Sequence, residues 1–153
     1  MSKKVSYLVM AIILGFCVVG AAQISYQEFY KQSVTSMLEE IEHDANSLDQ
    51  ILDSWGNGEI AQSAVVEKLK QMEVKADSYF EKILKLQAPE GKFKEHKQTV
   101  YVFVTWSTII GMFTEGMADL DLAKLDSAVT LSDYFERKVD EFDKRILEEN
   151  ESN

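Results

Sequence analysis

The stretch VYVFVTWSTIIGMF, Val100 to Phe113, decides what kind of fold this chain can adopt. It carries no charge and is rich in β-branched residues, a composition that propensity alone assigns to a strand. The order of the residues argues otherwise. A half-buried strand alternates apolar and polar side chains, and this stretch does not; it also sits in a unit of about thirty residues, the length of a long helix. Two apolar lines run along that helix. Val100, Phe103 and Ile110 continue one line from Phe93, while Val102, Trp106, Ile109 and Phe113 form a second roughly 100° around it. A bundle helix ordinarily buries one face. The second line is therefore a candidate surface for a partner protein or a second copy of the chain, unless this helix has neighbours on both sides.

Outward from this stretch, the helical spacing continues in both directions. Val34, Leu38, Ile41, Ala45, Leu48, Leu52 and Trp55 alternate steps of four and three, as do Val65, Leu69, Met72, Ala76, Tyr79, Ile83 and Leu86. Downstream, Leu125, Ala128, Phe135, Val139, Phe142 and Ile146 repeat the pattern, with Ser132 in one core slot. The breaks fall at Gly56–Gly58, at Pro89 in LQAPEG, and at MADLD, where Asp119 or Asp121 suits a helix N-cap. Gly56 suits the C′ position of a helix and Pro89 a first helical turn. Long helices with short connections predict an all-α fold, an antiparallel up-down four-helix bundle over residues 23–153.

Ahead of the bundle, residues 1–22 form a leader: MSKK, then the apolar VSYLVMAIILGFCVVGAA from Val5 to Ala22. As a helix it would span about 27 Å, close to the hydrocarbon core of a bilayer. Gly20 and Ala22 also fit a signal-peptidase site before Gln23. Lipidation at Cys17 is disfavoured because Phe16 stands where a small residue is required. Retained, the segment is a single-pass anchor with Lys3 and Lys4 in the cytoplasm and the bundle outside. Cleaved near Ala22, it releases a secreted domain. Tyr7 at one end, and Tyr26, Phe29 and Tyr30 past the other, suit a membrane interface.

Composition narrows the function classes. The chain has one cysteine, Cys17, so the bundle has neither a disulfide framework nor a cysteine-zinc site. With Lys3 and Lys4 in the leader, residues 23–153 carry 14 basic and 26 acidic side chains, a balance that repels nucleic acid. The charge is uneven: residues 23–55 and 119–153 each sum to −6, while 56–88 and 89–118 are neutral. Lysines gather at the second turn, Lys82, Lys85, Lys92, Lys94 and Lys97. Lys85, Lys92 and Lys94 are candidates for contact with anionic headgroups, although pairing such as Glu81 with Lys85 accounts for the same pattern.

No reaction chemistry is spelled out. Glu40-x-x-His43 has the spacing of a di-iron carboxylate motif, but its second copy is missing because Phe93 stands three residues before His96. His43, between core positions, should point outward, and His96 lies on the core line. DLDLAKLD, from Asp119, has Lys124 where a calcium loop needs glycine. There is no GxSxG, HExxH, phosphate loop or CxxCH. The expectation is a non-enzyme with no cofactor or metal, bound to an envelope or membrane protein or to itself. The alternative is a small-ligand or haem-binding sensor module using the aromatic interior between the second and third helices.

NGEIAQSAVVEKL, Asn57 to Leu69, and LQAPEGKFKEH, Leu86 to His96, resemble small exported or membrane-anchored helical-bundle proteins of Gram-positive bacteria. In these an Ala-Pro turn leads into a helix carrying a histidine. The resemblance implies an extracytoplasmic helical domain and carries over no functional residues. Phe16 departs from the lipoprotein members of that group.

Overall fold

The computed structural model describes residues 24–151, with side chains from Tyr26 to Lys138. The leader and its candidate interface residue Tyr7 lie outside the described residues. Four helices and no strand occur among those described: α1 (Ile24–Gly56), α2 (Gln62–Lys85), α3 (Phe93–Asp119) and α4 (Leu122–Glu151). The uncharged stretch from Val100 to Phe113 lies wholly within α3. Its threonines show how a strand-like composition is accommodated there. Thr99, Thr108 and Thr114 each donate a hydroxyl hydrogen bond to the carbonyl four residues back, so their polar groups are satisfied inside the helix.

The helix ends depart from expectation in instructive ways. Gly58, not Gly56, holds the left-handed position after α1, with φ +72°. There the Gly58 and Glu59 amides donate to the Trp55 and Ser54 carbonyls, closing a Schellman motif. Pro89 lies before α3, not in its first turn. Its carbonyl accepts from the Lys92 amide across a tight turn whose bend is made by Gly91 at φ +77°. Asp121 is the α4 cap: its Oδ1 accepts from the Lys124 amide at 3.1 Å. Between α3 and α4 a leucine, Leu120, adopts the left-handed conformation at φ 51°.

Cross-helix contacts come in ladders. Tyr26 meets Gln87, Glu40 meets Tyr79, and Asp44 meets Lys75, so numbers rise along α1 as they fall along α2. Gln62 reaches the Met117 carbonyl and Ser107 bonds Asp77, relating α2 to α3 in the same sense. Glu115 pairs with Lys124 at 2.8 Å across α3 and α4. At Gly116 the backbones of α3 and α4 come so close that a β-carbon there would lie 2.9 Å from the Leu125 side chain. Close packing is most extensive between α2 and α3, then between α3 and α4, then between α1 and α2. Thus α3 is the central helix, with a neighbour on each side.

That placement sets the core. On α1, Val34, Leu38, Ile41, Ala45 and Leu48 are buried, with Leu52 and Trp55 packed at the margin. On α2 the whole line from Val65 to Ile83 is buried, and on α4 Ala128, Ser132 and Phe135 are buried. Val139, Phe142 and Ile146 have side chains outside the described set. The line on α3 is corrected at its start: Phe103 and Ile110 are buried and Val100 partly so, but Phe93 is 72% exposed. It is the first residue of α3.

Candidate functional site

The four residues expected to form a partner surface do not face solvent. Val102, Trp106, Ile109 and Phe113 are between 0% and 7% exposed and belong to the core cluster. The physical reason is the central position of α3. A helix clasped on two sides buries two apolar stripes, and each large side chain so buried contributes about 1.5–3 kcal/mol. By length and mean hydropathy α3 is the one described helix long and apolar enough to cross a membrane, yet 56% of its most apolar window is buried against the rest of the fold. Within this packing the Trp106 indole N–H is buried without a hydrogen-bond partner.

The residues expected at a membrane interface divide. Tyr26 and Phe29 are exposed on the first turns of α1, their ring centroids 6.4 Å apart. Tyr30 is a correction: it is fully buried, because position 30 continues the line of Val34 and Met37 into the core. Its hydroxyl lies 2.7 Å from His96 Nδ1. Burial pushes the phenol up to about 12, so it is protonated at neutral pH, and it also has a hydrogen bond with Thr99. Lys85 pairs with Glu81 and Lys92 with Glu95, each at 3.4 Å, while Lys94 is exposed.

Tyr26 also anchors the start of α1. Its hydroxyl donates to the Gln87 carbonyl at 2.9 Å and lies 3.1 Å from the Gln87 amide, which points its N–H at the same oxygen. Together with Tyr30–His96, this ties the first two turns of α1 to the connection between α2 and α3.

A second polar cluster, which the spacing of apolar residues had hidden, joins α1 to α2. Lys75 reaches Glu40 at 2.6 Å and Asp44 at 2.9 Å, and the Tyr79 hydroxyl donates to Glu40 at 3.2 Å. Burial disfavours the charge on Lys75, but its bonds to Glu40 and Asp44 outweigh that and hold the ammonium well above its ordinary range. The hydrogen bond from Lys75, with its charge, holds Glu40 below the usual carboxylate range. Asp44 is 5% exposed, and its second oxygen, Oδ2, is buried with no partner. The available signal was an acid lodged between Ile41 and Leu48 at core spacing. A groove of about 540 Å³ opens beside the cluster, lined by Met37, Glu40, Val74, Lys75, Tyr79 and Lys82 among others. The Lys75 and Lys82 ammonium groups sit 5.8 and 5.5 Å from the Tyr79 ring centroid.

These side chains make salt bridges and do not gather ligands. Glu40 is engaged by Lys75 and Tyr79, and His43 is exposed beside it, so the pair does not converge as metal donors. Among the described residues no three His, Cys, Asp or Glu side chains could share an ion. Burial lowers the His96 pKa below the ordinary histidine value, which favours a neutral ring beside the Tyr30 hydroxyl. No protein-family model, curated protein or solved structure matched the chain on comparison.

Proposed function

We propose that this chain is an antiparallel up-down four-helix bundle held outside the cytoplasm by its N-terminal apolar segment. Its role is non-enzymatic, in contact with an envelope or membrane protein or with a second copy of itself. The observation that carries this reading is continuity. The 18 uncharged residues Val5–Ala22 stop one residue before α1, and neither glycine nor proline occurs from Ala21 to Trp55. Lys3 and Lys4 favour retention of the N-terminus in the cytoplasm. The contact ladders support alternation of direction between successive helices. Because the Val102–Phe113 stripe is core, partner contact falls to other faces of the bundle.

A structural role is also favoured by how the perturbed side chains are used. Lys75, Glu40 and Tyr30 each join one helix to another. A small-ligand reading has one observation in its favour, the open groove between α1 and α2, in place of the α2–α3 interior, where Tyr79, Phe103, Trp106 and Ile109 are buried. The experiment that tests the main reading is the intact mass of the protein from its native cell, with the fraction in which it is found. A full-length mass in the membrane fraction supports the tether. A mass beginning at Gln23 in the medium removes it.

A further inference from the structure

We infer that the end of the fold built from the start of α1 and the α2–α3 connection is a docking surface for an anionic lipid bilayer. This deepens the tethered reading and rests on it. Four large apolar side chains are exposed at this end: Tyr26 at 40%, Phe29 at 56%, Leu84 at 56% and Phe93 at 72%. They come from the first turns of α1, the last turn of α2 and the first residue of α3. The Tyr26–Gln87 and Tyr30–His96 hydrogen bonds hold these three helix ends together as one unit. The aromatics are therefore presented from a fixed platform.

Charge selects the occupant. Residues 81–97 hold five lysines against three glutamates, in a chain whose net charge is −10. An anionic surface repels such a protein in most orientations, and the α2–α3 connection is a stretch where lysines outnumber acids. Aromatic rings flanked by lysines suit the interface between hydrocarbon and headgroups, where a ring is half immersed and an ammonium meets phosphate. The sequence supplies the proximity. Val5–Ala22 ends four residues before Tyr26, so a bilayer holding that segment lies within reach of Phe29, Leu84 and Phe93. The tether raises the effective concentration of the surface, and the platform then decides how the bundle stands on it.

The test uses the full chain with Cys17→Ser, so that a single new cysteine takes an environment-sensitive nitrobenzoxadiazole dye. One version carries the dye at Gln87→Cys, where only the backbone bonds Tyr26, and another at Asn57→Cys in the opposite turn. Each is reconstituted with vesicles of phosphatidylcholine alone or with one third phosphatidylglycerol, and both flotation and quenching by shallow spin-labelled lipid are recorded.

The expected result is flotation with both vesicles. Quenching at 87 should be strong on the phosphatidylglycerol vesicles, and 57 should remain aqueous. Replacing Lys85, Lys94 and Lys97 with glutamine should reduce the docked-to-free ratio about fivefold per lysine in contact. Phe93→Ser with Leu84→Ser should also weaken docking without loss of helical circular dichroism. Flotation with position 87 aqueous on both vesicles overturns docking and leaves the tether standing, the result for an end that meets a protein. Failure to float with either vesicle overturns the tether, and docking with it.

Discussion

The hydroxyl of Tyr30 and the Nδ1 atom of His96 lie 2.7 Å apart, joining residues separated by 66 positions in the chain. One is fully buried on α1 and the other half-buried on α3. The phenol is protonated, and the two side chains share one hydrogen bond whose direction is set by the His96 tautomer. The groups around the pair are Thr99, Glu95 and Tyr26.

The pH dependence follows from the sign of the His96 shift. Burial lowers its folded pKa, so the unfolded state binds the proton more readily. The contribution is fully present above the ordinary histidine value and is lost as pH falls through that value toward the folded one. Within that window stability should drop as the pH falls. Urea unfolding between neutral and mildly acid pH should show this slope, and His96→Gln should flatten it. An unchanged slope in the variant would place the titration elsewhere.

Trp106 and Ile109 are core residues, so polar replacements should act on folding first. Trp106→Ser with Ile109→Ser removes two large buried side chains, worth about 3–5 and about 2–5 kcal/mol on truncation to a small residue. Loss of cooperative thermal unfolding, followed by circular dichroism, is the expected outcome. A folded variant altered only in its association would return these residues to the surface.

Lys75→Met should destabilise by roughly 2–4 kcal/mol, since it strands the buried Asp44 carboxylate. The figure is set below that of a fully buried pair because the Lys75 side chain is 38% exposed. Adding Asp44→Leu should recover most of the loss, as the buried charge then disappears with its partner. Guanidinium unfolding of the two single variants and the double variant gives the coupling directly.

Two glycines on α3 should respond in opposite directions to alanine. A β-carbon at Gly116 meets the Leu125 side chain at 2.9 Å and its backbone nitrogen at 3.2 Å, so Gly116→Ala should lose about 1–2 kcal/mol through overpacking. At Gly111 the nearest atom is Glu73 Oε1 at 3.6 Å, an ordinary contact. Gly111→Ala should therefore gain about 0.5–1 kcal/mol from helix propensity. Thermal midpoints moving in opposite directions would confirm both placements.

Leu120 is left-handed and exposed, a conformation unfavourable by about 1–2 kcal/mol for an L-residue with a β-carbon. Leu120→Gly should raise the melting midpoint by several degrees, and a fall would mean that the leucine packs in a way that offsets its backbone.

Much of the fold was legible in local pattern. Helical spacing picked out the line from Val65 to Leu86, buried as far as Ile83 and partly buried at Leu86, and of the two cap candidates Asp119 and Asp121 the second starts α4, because periodicity and capping are properties of a few consecutive residues. Composition likewise leaves the bundle without a cysteine, and so without a disulfide. What local pattern could not show was how many neighbours each helix has. Val102, Trp106, Ile109 and Phe113 are as apolar as a docking face and as apolar as a core; only the seat of α3 between α2 and α4 makes them core. The same holds for Asp44, a carboxylate buried against Lys75, far away in sequence. Pattern along one helix records which faces are apolar, and the arrangement of helices in space decides which of those faces meet water.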